Sequence, residues 1–234
     1  MSEPIEVGHR ESSVLRISVR TAAIMLAFML VFTALMAGTY KATAPLVAAS
    51  ALAEKLRLIG EVLPAELHDN DLMADAITLA PQPALGLPLE TQLWRARKDG
   101  APAALVFEAA APDGYSGRIS LLLAVSASGQ LLAVRVTAHR ETPGLGDYIE
   151  PKKDKNKTAP WITQFNKLGF DTVPRQSWRV KKDGGRFDQR AGATISARAV
   201  TNASGRALAW AAQHKDKLFA LPANGRFDTQ GSTP

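Results

Sequence analysis

The longest apolar run in the chain lies from Thr21 to Tyr40, reading TAAIMLAFMLVFTALMAGTY, with no charge between Arg20 and Lys41. A helix of that length rises about 30 Å, the thickness of a bilayer's hydrocarbon core, so the pattern predicts a transmembrane helix over 21–40. Leu52, Leu56, Ile59 and Leu63 then recur at helical spacing, which predicts that the helix continues over residues 46–63 and ends by Pro64. Pro81, Pro83, Gly86 and Pro88 mark loop or irregular extended chain.

From Arg118 the period shortens to two. Ile119, Leu121, Leu123 and Val125 share one face, Gly129 marks a turn, and Leu132, Val134, Val136 and Ala138 continue the alternation, which predicts a β-hairpin. A preceding strand at Ala103–Glu108 enters it through Asp113-Gly114-Tyr115-Ser116-Gly117. Trp178–Lys181 and Arg186–Asp188 flank Asp183-Gly184-Gly185 as a second hairpin signature. Val200, Ala203, Ala207, Leu208 and Ala211 then repeat on one side of a helix expected over Ala197–His214. Hairpins with helices at the ends argue an α+β fold.

Lysine and arginine placement gives the apolar segment a direction. Arg10, Arg16 and Arg20 precede it, whereas Lys41 stands alone after it, so the N-terminus is expected in the cytoplasm and the remainder outside. A cleaved signal peptide shares this position, and Ala42-Thr43-Ala44 has the spacing of a cleavage site. Pro45 directly after it disfavours cleavage, and the full span favours a retained anchor. The net charge of +6 belongs to the part after residue 40, since the first 40 residues hold three basic and three acidic groups. That excess forms no continuous polybasic run, which gives no support to nucleic-acid binding.

Absent cysteines remove disulfides, thiolate metal sites, iron–sulfur clusters and thioether haem. His9, His68 and His214 are scattered without ligand spacing, so no metal site is expected. The chain has neither GxGxxG nor a Walker A loop. Trp94, Trp161, Trp178 and Trp210 are expected as packing residues, and Pro151-Lys152-Lys153-Asp154-Lys155-Asn156-Lys157 as a solvated loop.

Two strings could carry chemistry. His139-Arg140-Glu141-Thr142-Pro143-Gly144-Leu145-Gly146-Asp147 follows the central hairpin, where Pro143, Gly144 and Gly146 turn the chain and display His139, Glu141 and Thr142 at the sheet edge. The same residues make an ordinary polar turn. Asp188-Gln189-Arg190-Ala191-Gly192-Ala193-Thr194-Ile195-Ser196 precedes the last helix, with Ser196 as the expected N-cap and Ile195 and Val200 as a hydrophobic staple. Thr194 then stands two residues ahead of a helix N-terminus, where free N–H groups and the helix dipole favour a phosphate. A glycine turn with a plain helix cap accounts for the spacing without any phosphate and, taken alone, is the simpler reading.

Gly-Tyr-Ser-Gly at 114–117, the string from His139 to Gly146, Trp161-Ile162, Asp183-Gly184-Gly185 and Gly192-Ala193-Thr194 occur together, behind one N-terminal anchor, in an order that resembles the G subunit of the Rnf electron-transport complex. The resemblance spans essentially the whole chain. It implies an extracytoplasmic FMN-binding domain of antiparallel hairpins and flanking helices, in which a flavin transferase joins FMN through its phosphate to a threonine of a Ser/Thr-Gly-Ala-Thr motif. Carried over, that threonine is Thr194, with Gly192, Ala193 and Ile195 beside the cofactor and Glu141, Thr142 and Leu145 on the loop near the flavin. One position departs from the family pattern: Ala191 stands where Ser or Thr is usual.

The implied role is an electron relay within a complex coupling ferredoxin and NAD to ion movement across the bacterial inner membrane. Other subunits of that complex, the transferase and the bilayer around 21–40 are the implied partners, and no catalytic residue of the chain's own is implied. The expected organisation is a cytoplasmic segment 1–20, the span 21–40, a helical and irregular connection 41–100, the FMN-binding domain 101–220 and a flexible tail 221–234. A cofactor-free scaffold outside the cytoplasm, and the related FMN-bearing subunit of a sodium-translocating NADH:quinone reductase, are the alternatives.

Overall fold

A computed structural model describes residues 8–229. The chain divides between Lys55 and Leu56 into two compact units. Helix α1 (Gly8–Val62) contains the whole apolar run and continues to within two residues of Pro64, as its periodicity requires. An 18-residue window within it reaches a mean hydropathy of 2.1 with none of its side chains buried, so it is long and apolar enough to cross a membrane. Phe28, Leu30 and Phe32 lie open along this first unit, each more than half exposed.

The second unit is built on one seven-stranded sheet. In chain order its strands are β1 (Ala76–Leu79), β2 (Thr91–Lys98), β3 (Ala101–Gly114), β4 (Gly117–Ser126), β5 (Gln130–Ala138), β6 (Leu168–Gly169) and β7 (Arg226–Phe227). Their spatial order is β6-β5-β4-β3-β2-β1-β7. Every pairing is antiparallel except the parallel β1–β7 contact. The predicted hairpins thus occupy the middle of the sheet, with Gly114 opposite Gly117 at the tip joining β3 to β4.

Alternation sends the two sets of side chains to separate cores. Phe107, Leu121, Leu123, Val125 and Val134 join the larger core with helix α2 (Thr194–Ala220), whose Ala199, Val200, Ala203, Ala207 and Leu208 are fully or nearly fully buried. Val106, Leu122, Ala124 and Ala133 face the other way and pack with Ile59, Val62, Leu63 and Leu72. All four tryptophans are buried, as expected of packing residues. Phe107 meets Trp210 with ring centroids 5.4 Å apart, tying the sheet centre to α2.

The structure corrects several expectations. Residues 76–79 and 91–98 form β1 and β2 within the stretch read as helical and irregular connection. The cue was weak because β2 buries Leu93, Trp94, Arg95 and Ala96 in succession and shows no period of two. Arg95 is 1% exposed yet charged, and it is paired with Asp75 while donating to the carbonyls of Leu218 and Leu221. Arg97 donates to the Phe219 carbonyl at 3.1 Å, so two arginines of β2 satisfy the open C-terminal end of α2.

The string Trp178–Asp188 forms no strand pair of a regular hairpin. A short 3-10 turn, Lys181–Asp183, closes on Gly184 with its φ of 79°, and a single bridge joins Val180 to Phe187. Arg226–Phe227 is a strand, so the expected tail is ordered there, while its residues 230–234, like residues 1–7, lie outside the described part. The lysine-rich run is also no simple solvated loop, because Asp154 within it is completely buried.

Candidate functional site

Glu141 is the polar group on which the site is built. It is 4% exposed, lies just after β5, and makes no ion pair among the described residues. One carboxylate oxygen accepts the Ser116 N–H at 3.0 Å, from the β3–β4 hairpin tip, and the other accepts the Ser196 hydroxyl from the first turn of α2. Its own N–H donates to His139 Nδ1 at 3.1 Å. His139 Nε2 in turn lies 3.5 Å from Glu150.

Two glycines leave the room that this arrangement needs. A Cβ on Gly114 would stand 2.9 Å from Glu141 Oε1, and one on Gly146 would stand 2.7 Å from Ser196 Oγ and 2.9 Å from Glu141 Oε2. Those distances are below normal carbon–oxygen contact, so any side chain would push the carboxylate away. The glycines read as turn formers are therefore also clearance around Glu141.

Helix α2 starts at Thr194, three residues before the expected Ala197. Ser196 cannot serve as the expected N-cap because it lies inside the helix with its hydroxyl engaged by Glu141. Ala193 occupies the cap position and offers no side-chain oxygen. Gly192, with φ of 82°, provides the left-handed turn that delivers the chain into the helix. The first-turn N–H groups at Thr194, Ile195 and Ser196 consequently have no capping side chain, and they carry the positive end of the helix dipole.

A second cluster braces this turn. Tyr148 Oη donates to the Ala193 carbonyl at 3.3 Å and accepts the Arg190 N–H at 3.2 Å, while the Arg190 guanidinium lies 4.6 Å from the Tyr148 ring centroid. Burial pushes the Tyr148 phenol above its ordinary pKa and so keeps it a donor. Arg190 pairs with the buried Asp154, which also accepts the N–H groups of Trp161 and Asn156. Burial alone would raise the Asp154 pKa, but these hydrogen bonds and Arg190 outweigh it and hold the carboxyl below its usual range.

Between the α2 start and the Glu141 loop lies a cavity of about 250 Å³ lined by Tyr115, Glu141, Thr142, Leu145, Gly146 and residues 192–196. All seven residues expected at the site, Glu141, Thr142, Leu145, Gly192, Ala193, Thr194 and Ile195, line this one cavity. Tyr115, Gly146 and Ser196 line it as well, beyond the expected set. Tyr115 had a visible signal, an aromatic residue at the tip of a Gly-Tyr-Ser-Gly turn. Beyond Leu56 the exposed large apolar side chains are Leu89, Tyr115, Leu145 and Ile195, and all but Leu89 rim this cavity. The uncapped first-turn N–H groups and the exposed apolar side chains that line it suit a ligand with an anionic end and a flat apolar body.

Known proteins match the chain in both units. Residues 114–209 match the FMN-binding domain family, and residues 13–62 match the RnfG N-terminal region. The G subunit of the ion-translocating oxidoreductase complex of Vibrio cholerae is 38% identical over 203 residues, covering 87% of this chain and 94% of the relative. The protein of the same name from Cronobacter sakazakii is 47% identical over 176 residues, covering 75% and 81%. That from Shewanella baltica is 36% identical over 206 residues, covering 88% and 95%.

Two outcomes follow from the site's construction. Glu141→Ala leaves the Ser116 N–H and the Ser196 hydroxyl unpaired and costs about 1–3 kcal/mol, whereas Glu141→Gln retains an acceptor and costs less. Urea unfolding of the detergent-solubilised chain, followed by tryptophan fluorescence, measures both, since all four tryptophans lie in the second unit. Asp154 has a depressed folded pKa, so its stabilisation is complete above its unfolded value near pH 4 and is lost as pH falls through the folded value. Asp154→Asn is expected to lose about 1–3 kcal/mol at pH 7 and to show a flatter decline than the unmodified protein below pH 4.

Proposed function

The chain belongs to the family formed by the G subunits of ion-translocating oxidoreductase complexes, and we propose that it is a membrane-anchored electron carrier holding FMN through a phosphoester to Thr194. The observation that carries this reading is the uncapped start of α2: Thr194 is its first residue, beside unpaired backbone donors and a cavity with an apolar rim. A phosphate joined to the Thr194 hydroxyl is stabilised there by the first-turn N–H groups and the helix dipole. FMN, when bound, supplies one- and two-electron transfer.

The remaining roles belong to the protein. Gly192 and the Tyr148–Arg190 brace fix the backbone of the attachment turn. Tyr115, Leu145 and Ile195 offer apolar contact for a flavin ring, and Thr142 offers a hydroxyl beside it. Both Glu141 oxygens are engaged by Ser116 and Ser196, so Glu141 positions the pocket walls and is not a catalytic residue. A cavity of about 250 Å³ is smaller than the roughly 300–1,000 Å³ of an enclosing ligand site, which supports a cofactor only partly covered by this chain and open to an electron partner.

Ala191 replaces the Ser or Thr usual at the first motif position. It is exposed and lies outside the cavity lining, so its hydroxyl-free side chain is compatible with modification of Thr194 by a flavin transferase. Arginines before the apolar run and a single lysine after it support an N-terminus in the cytoplasm and a second unit on the periplasmic side of the inner membrane. The other subunits of the complex are then the electron donor and acceptor and hold the ion path.

Intact and tryptic mass spectrometry of protein produced with an active flavin transferase tests the attachment. The expected result is the FMN mass on the peptide containing Thr194 and its complete absence from Thr194→Ala. An unmodified Thr194 in the presence of active transferase refutes the covalent link.

A further inference from the structure

Most arginines of the second unit are neutralised within it. Arg57, Arg95, Arg97, Arg135, Arg190, Arg198 and Arg226 each pair with an acidic side chain. Arg118, Arg140, Arg175, Arg179, Arg186 and Arg206 make no such ion pair among the described residues, and Arg175, Arg179 and Arg206 converge on one feature. Two neighbouring cavities of about 310 and 240 Å³ run beside α2, and both are lined by Arg175 and Arg206. Arg179 and Asn202 line the first and Gln213 lines the second. No acidic residue lines either cavity; nearby, Asp183 pairs with Arg198 and also feels the charge of Arg179, and Asp188 pairs with Lys181.

The groove is a product of packing. Gly205 faces Trp178, where an added Cβ would come within 3.2 Å of the Trp178 Cβ, so the absent side chain lets α2 and the Trp178 segment approach closely. Asn202, Arg206 and Gln213 lie on one stripe of α2, and Arg175 and Arg179 rise from the opposite wall. A planar guanidinium presents a fork of donors matched to a carboxylate, and arginine is enriched where polypeptides meet.

We propose that this groove docks an acidic segment of a partner polypeptide, with its carboxylates held by Arg175, Arg179 and Arg206 and its backbone by Asn202 and Gln213. Charge complementarity selects this occupant: the groove is lined by three cations and no carboxylate, and its lining runs from Asn202 to Gln213 along α2, a length that suits an extended chain. Membership of a family of complex subunits supplies the polypeptides from which the partner comes. Arg206 stands twelve residues after Thr194, about 18 Å along the α2 axis, so docking there holds the partner on the helix whose start forms the candidate site. The inference is independent of whether FMN is attached.

A photoreactive benzophenone side chain at position 213, introduced into the full chain within its assembled membrane complex, tests it. The expected product is a cross-link to an Asp/Glu-rich peptide of another subunit. Its yield should fall at least fivefold in R175E/R206E and stay unchanged in R140E/R186E, which makes the same charge change at exposed arginines outside the groove. Equal yields in both double variants overturn the proposal. So do cross-links confined to lipid or to peptides without acidic residues, and the absence of any cross-link to a polypeptide.

Discussion

A buried carboxylate with no ion pair among the described residues holds the site together. Burying Glu141 is costly unless its oxygens are hydrogen-bonded, and the two groups that satisfy it come from segments far apart in sequence, the β3–β4 tip and the first turn of α2. Its own position follows β5. One side chain therefore fixes three backbone segments relative to each other, with Gly114 and Gly146 kept bare to admit it.

The two ends of α2 are treated differently. At the C-terminal end, Arg95 and Arg97 of β2 reach the carbonyls of Leu218, Phe219 and Leu221, and Asp75 balances their charge. At the N-terminal end no side chain caps the first-turn donors, and the Tyr148–Arg190–Asp154 chain stiffens the turn from the backbone side without occupying them. Sheet packing and the arginine clamp hold the helix in place, so its N-terminus can remain free for a ligand.

How much of this could be read from the sequence depended on the range of the interactions. The apolar run, the β3–β5 meander and the apolar stripe of α2 are local periodicities, and each was visible. Strands β1 and β2 were not, because β2 is buried on both faces and its central Arg95 reads as a surface residue until its partners more than a hundred positions away are known. The same limit applied to the site. Thr194, Glu141 and Leu145 stand out through their motifs, yet Ser196 reads as a helix cap because its partner lies 55 residues upstream. Asp154 reads as one charge in a lysine-rich loop, although its role is set by Arg190 and the backbone of Trp161.

Phosphorus NMR of the flavin-loaded protein across pH 5–8 tests the central claim most directly, because it reports how the phosphate is bonded. A free FMN phosphate is a monoester whose second ionisation lies near pH 6, whereas a phosphate also joined to Thr194 is a diester with no ionisation in that range. The account predicts a single protein-bound resonance whose position does not change with pH. A bound resonance that titrates near pH 6 would contradict it, since the cofactor would then be held without the threonine bond.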